Sequence, residues 1–175
     1  MSVNIHQLLR EEHSKKQTRR IVRYIGKDKT RFAVLIGLFF QGEYRITQRA
    51  AWPLSYCVRE HPELVRPYFK RLLDNLARKD IPIAVTRNTV RLLQDVEIPR
   101  RYHGQVMSTC FEFIQRPGTP IAVKAFSLTI LAGLAADYPD IGGELKLIIE
   151  EQWDKATPAF RSRARAALKA MERKA

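Results

Sequence analysis

The chain has 175 residues, 45% of them hydrophobic, enough for one folded domain with a real core. No run of about 18 apolar residues occurs, so no helical membrane span is expected. The two cysteines, Cys57 and Cys110, are too few and too far apart for a disulfide framework or a zinc site. The net charge is +13 and it sits at the ends: residues 1–31 hold nine Lys/Arg against three acids and residues 156–175 hold six against one, while residues 32–155 hold sixteen against fourteen.

The opening MSVNIHQLLREEH lacks the basic-then-apolar layout of a secretory signal, and with two cysteines read as reduced core residues a cytoplasmic location is expected. Residues 4–12 read as a short helix. KKQTRRIVRYIG and KTRFAVLIGLFF read as a shortened helix pair separated by GKDK. Residues 1–43 are therefore expected to be basic helices packed on the part that follows, forming one domain with it.

From residue 44 the chain repeats. PIAV occurs at Pro82–Val85 and again at Pro120–Val123, and PAFR stands at Pro158. The step from Pro82 to Pro120 equals the step from Pro120 to Pro158. Counting back one such step gives a unit starting near Tyr44. At matching offsets stand Leu54, Leu92, Ile130 and Leu168; Trp52, Val90, Leu128 and Ala166; Ile46, Ala84, Ala122 and Phe160; and Val58, Val96 and Leu134, where the fourth unit breaks the pattern with Glu172. These offsets fall on one side of a 3.6-residue helix. Proline at the first helical position loses no hydrogen bond, and Thr119, Thr157 and Asp80 stand where a side chain caps a helix start.

A second proline interrupts each of the first three units, in EHPEL, EIPRR and DYPDI. First helices are thus expected near 44–60, 82–96, 120–137 and 158–173, and second helices near 62–79, 99–116 and 140–155. The last first-type helix has no partner and is rich in Arg, Lys and Ala, as suits a cap with one wet face. Pro67 falls inside the first of the second helices, which is either kinked there or has a separate first turn. The shared core is expected from Trp52, Leu54, Val90, Leu92, Leu128, Ile130 and Leu131, joined by Leu72, Leu76, Phe113, Leu145 and Ile148.

A two-helix unit of this length lacks the tetratricopeptide small-residue pattern and the ankyrin TPLH-like turn. It resembles the HEAT-like repeat in length, in the basic residue a few positions into each first helix (Arg49, Arg87, Lys124, Arg163), and in Pro53 within RAAWPLSYC. QRAAWPLSYC, HPELVRPYF and KAFSLTILAGLAADYP also resemble a group of small bacterial helical-repeat proteins. The resemblance implies an all-α fold, an α-α superhelix of antiparallel helix pairs in a HEAT-like solenoid. It implies no chemistry.

No motif supplies a reaction. The glycines are scattered, Gly142–Gly143 lacks a following Lys-Ser/Thr, no GxSxG occurs, and His6, His13, His61 and His103 form no HxxxH pair. Glu150 and Glu151, adjacent on a helix, point about 100° apart and make no acid–base pair. Certain HEAT-like proteins that excise alkylated bases from DNA resemble this chain in architecture. Trp153, Tyr102 and Asp154 could be cast in their aromatic and acidic roles, but the chain is short for that family and no motif carries the roles over. No cofactor, metal or small-molecule substrate is expected.

The second helices, which line the concave side in HEAT-like stacks, present Arg66, Lys70 and Arg71, then Arg100 and Arg101, with Arg66 and Lys70 four apart on one helix face. KKQTRRIVR offers Lys15, Lys16, Arg19, Arg20 and Arg23, and RSRARAALK offers Arg161, Arg163 and Arg165 at dense helical spacing. The leading expectation is a non-enzymatic scaffold holding a macromolecule, a protein foremost. The alternative is electrostatic nucleic-acid binding through the basic ends.

Overall fold

Helix starts are written in the sequence and the backbone obeys most of them. The computed structural model describes residues 3–41, 43–78 and 80–173. Among these it holds ten α-helices, three short 3-10 turns and no strand. The chain divides into two compact units, residues 1–97 and 98–175.

In the first unit, α1 (Ile5–Glu11) is capped by Asn4, whose Oδ1 accepts from Gln7 N–H at 3.0 Å. α2 (Lys15–Ile25) is capped by Ser14 Oγ and closes on Gly26, at φ +48°, a value side chains disfavour. α3 (Lys29–Gln41) carries the apolar stretch FAVLIGLFF, and Asp28 accepts from its Arg31 N–H. α4 (Tyr44–Glu60) keeps Pro53 inside an unbroken helix. It packs against α1, α2 and α3, and against α6 (Ile83–Leu93). Between α4 and α6 lie two 3-10 turns, Pro62–Leu64 and Arg66–Tyr68, then α5 (Phe69–Ala77). Phe32, Leu35, Ile36, Phe39, Leu54 and Leu72 are sealed from water. Each such side chain contributes about 1.5–3 kcal/mol before entropy.

In the second unit, a 3-10 turn (Arg100–Tyr102) leads into α7 (His103–Gln115), followed by α8 (Ile121–Leu134), α9 (Pro139–Gln152) and α10 (Pro158–Glu172). α8 packs against α7, α9 and α10. Leu128 and Leu131 are fully buried there. Ala164 of α10 is fully buried too, and its small side chain lets a neighbouring helix come close.

The four first-type helices start where expected, at Tyr44, Ile83, Ile121 and Pro158. Val90, Leu92, Leu128, Ile130, Leu145 and Ile148 are buried as the repeat requires. Four expectations need correction. Trp52 is only half-buried, against the His13 ring at 5.3 Å. Val96 lies beyond α6, which stops at Leu93, and in the last unit Ala166 is exposed and Leu168 half-buried. The second helices of the first two units begin late: prolines at 62, 67 and 99 and the residues beside them take 3-10 or extended backbone, so α5 starts at Phe69 and α7 at His103. Finally, Pro82 and Pro120 are themselves the caps, at ψ near 136° and 139°, so Thr119 caps nothing and Asp80 instead binds Arg78 at 2.9 Å. Only Thr157 does the expected work, accepting from Phe160 N–H.

Candidate functional site

α2 is built as a platform. Its inner face, Gln17, Thr18, Ile21, Val22 and Ile25, is buried, and Gln17 Nε2 donates to the Leu8 carbonyl of α1 at 3.0 Å. Helical geometry then turns Lys15, Lys16, Arg19, Arg20 and Arg23 outward, and all five are exposed. They line a shallow hollow of about 750 Å³ with Tyr24. Glu11 and Glu12 line it as well, and Glu11 accepts from Gln7 Nε2 at 2.8 Å. Among the described residues none of the five cations makes an ion pair or hydrogen bond. Tyr24 offers no open ring face on one side, since the Arg31 guanidinium lies over it at 4.3 Å.

The C-terminal cluster is different. Arg161 Nε donates to the Trp153 carbonyl at 2.9 Å and its Nη2 to the Asp154 carbonyl at 3.0 Å. Arg161 and Arg165 both lie over the Trp153 ring, at 5.7 and 5.1 Å. Arg163 is exposed and unpaired among the described residues. Trp153 and Asp154 thus serve as the seat of α10.

On the second-helix segments, Arg66 belongs to the 3-10 turn and Lys70 to α5, so they do not share one α-helical face as their spacing implied. Pro67 is the cause, since it has no N–H to continue a helix. Lys70 pairs with Asp74 at 2.7 Å, and Arg71 stacks over Phe40 at 4.4 Å. Arg100 and Arg101 are exposed in their own 3-10 turn, Arg101 lying over Tyr102 at 4.9 Å.

Sequence reasoning missed a recurring device. The last carbonyls of an α-helix lack intrahelical donors and form the negative end of its dipole. Four cations from following helices fill that need. Arg31 reaches the Tyr24 carbonyl at the end of α2 at 2.7 Å. Arg49 reaches those of Leu9 and Arg10 at the end of α1, both at 2.8 Å. Lys124 reaches Ile114 at the end of α7 at 2.8 Å, a carbonyl that also accepts from Gln152 Nε2. Arg161 is the fourth, bonding the carbonyls of Trp153 and Asp154 just past the end of α9. Of the basic positions that resemble the HEAT pattern, Arg49 and Lys124 play this part, whereas Arg87 and Arg163 stand exposed. Partial burial lowers the pKa of Lys124, because desolvation disfavours its charge.

Both cysteines and His103 are buried. Burial pushes the Cys57 and Cys110 thiols up to about 12, which leaves no thiolate at neutral pH. His103 is buried: its Nε2 donates to the Ile98 carbonyl at 2.7 Å and its Nδ1 meets Tyr138 Oη at 3.1 Å. Among the described residues, no three His, Cys, Asp or Glu side chains converge as metal ligands, and no helix is long and apolar enough to cross a membrane.

Consecutive helices, a recurring two-helix unit and apolar faces shared between successive helices define a helical-repeat protein. A family model for the HEAT repeat domain matches residues 5–171, and the chain belongs to that family. No curated protein and no solved structure matches it.

Proposed function

We propose that this chain is a non-catalytic binding scaffold that holds a protein partner through the segment leading into α5 and, separately, the segment leading into α7. HEAT repeats commonly mediate protein interactions. The observation that carries the reading is the contrast between two sets of residues. Cys57, Cys110 and His103 are buried, while Arg66, Arg100 and Arg101 stand exposed on short 3-10 turns. Arginine on a rigid turn presents five donors in a fixed fork, suited to carboxylates on a partner surface.

The test is affinity capture with the intact chain, followed by titration of each purified captured protein against the native chain and an Arg66→Glu/Arg100→Glu/Arg101→Glu variant. A partner bound by the native chain and lost by the variant is expected. Equal binding by both would place the surface elsewhere, and failure to recover any protein that binds after purification would remove the reading. A second reading, a nucleic-acid-binding module, is favoured by one specific observation, the unpaired cationic face of α2.

A further inference from the structure

We infer that the outer face of α2 is a docking surface for the phosphate backbone of double-helical DNA, read without regard to base sequence. It rests on the nucleic-acid reading of the same face and concerns a different surface from the protein-scaffold reading, which stands or falls separately.

The first ground is charge density. At 1.5 Å per residue, Lys15 to Arg23 covers about 12 Å of helix axis, so five cations give one per about 2.4 Å. Duplex DNA carries one negative charge per about 1.7 Å of axis, or about seven over the same length. An extended acidic peptide advances about 3.3 Å per residue with alternate side chains facing away, so its best supply on one face is one carboxylate per about 6.6 Å. Even one strand of the duplex, at one charge per about 3.4 Å, supplies charge more densely than one face of such a peptide.

The second ground is that these cations are available. None is paired among the described residues, so binding breaks no internal ion pair. Glu11 and Glu12 line the same hollow and oppose a polyanion, so five cations stand there against two carboxylates.

The third ground is the platform itself. Ser14 caps α2, Gln17 ties it to α1, and Ile21, Val22 and Ile25 are buried, so the charges are held in fixed rows: Lys15, Arg19 and Arg23 in one, Lys16 and Arg20 in the next. The duplex is preferred to a single strand because the hollow holds one aromatic ring, Tyr24, with Arg31 over one of its faces, so it cannot stack the successive bases that a single-strand platform needs.

The experiment measures binding of the full chain to a short mixed-sequence duplex DNA across a salt series that starts at about 50 mM. A single strand of the same length and poly-L-glutamate serve as competitors. Two variants, Lys15→Ala/Arg19→Ala/Arg23→Ala and Lys16→Ala/Arg20→Ala, are compared with the native chain, each checked for an unchanged helical signal. Each phosphate contact contributes about 0.9 to the slope of log K against log salt, so the triple variant should lose about 2.7 of slope and the double variant about 1.8. Duplex should displace better than single strand, and both better than polyglutamate. No duplex binding at the lowest salt, slopes unchanged in either folded variant, or polyglutamate competing as well as duplex would each overturn the assignment. The last would point to an acidic protein instead.

Discussion

α2 and α10 are both amphipathic and strongly basic, yet their cations have different duties. In α2 the five lysines and arginines are exposed and make no ion pair or side-chain hydrogen bond among the described residues. In α10 Arg161 holds two carbonyls at the end of α9, and Arg165 joins it over Trp153. Composition alone makes the two helices look interchangeable. What separates them is whether a helix C-terminus lies within reach of the cation.

The comparison can be broken first on the apolar faces, where the two helices should behave alike. Phe160→Ala in α10 should cost about 3–5 kcal/mol and Ile21→Ala in α2 about 2–5 kcal/mol by chemical denaturation, since both side chains are fully buried. Leu92→Ala in α6 should fall in the same range, about 2–5 kcal/mol, and an unchanged melting temperature there would refute the register of the repeat.

On the polar faces the helices should part. Arg161→Met should destabilise by about 1–3 kcal/mol, because it strips a charged donor from two carbonyls just past α9, and Lys124→Met should cost less, because the Ile114 carbonyl keeps its bond from Gln152 Nε2. Arg19→Met in α2 should stay within about 0.5 kcal/mol, as expected of a solvated surface position.

The units can be followed separately through their thiols, Cys57 in the first and Cys110 in the second. Both should resist a thiol reagent at neutral pH until the protein unfolds. Each thiol's folded pKa is raised from 9.0 to about 12, so the folded state keeps protons that the unfolded state gives up. The linked stabilisation is therefore complete below pH 9.0 and is lost as the pH rises towards about 12. Urea melts at increasing alkalinity should show this decline, and Cys57→Ala/Cys110→Ala should flatten it.

The smallest effect concerns Thr89, whose buried hydroxyl has no hydrogen-bond partner among the described residues. Thr89→Val should leave stability within about 1 kcal/mol of the native value or raise it, because a methyl group there needs no partner.

Much of the fold was legible because proline and periodicity act locally. Pro82, Pro120 and Pro158 mark three helix starts, and the apolar offsets place Val90, Leu92, Leu128 and Ile130 inside. The late start of α5 was half-visible, since Pro67 offered two outcomes that spacing could not rank; the chain took the separate turns. The roles of the cations were much harder to see. Arg49 meets Leu9 and Arg10 across some 40 residues of chain, and only folding brings them together. A basic residue early in each first helix was the available signal, yet it also marks Arg87 and Arg163, which bond no helix-end carbonyl among the described residues. Local sequence shows that a cation is present, and tertiary geometry decides whether it serves the fold or faces outward.

The most direct test of that division is a paired measurement on two charge-stripped variants, Lys15→Ala/Arg19→Ala/Arg23→Ala in α2 and Arg161→Met/Arg165→Met in α10, each assayed for melting temperature and for duplex-DNA affinity at low salt. The α2 variant should melt with the native protein while losing most of its DNA affinity, and the α10 variant should melt several degrees lower. An α2 variant that melts early with its affinity intact, or an α10 variant as stable as the native chain, would contradict the account.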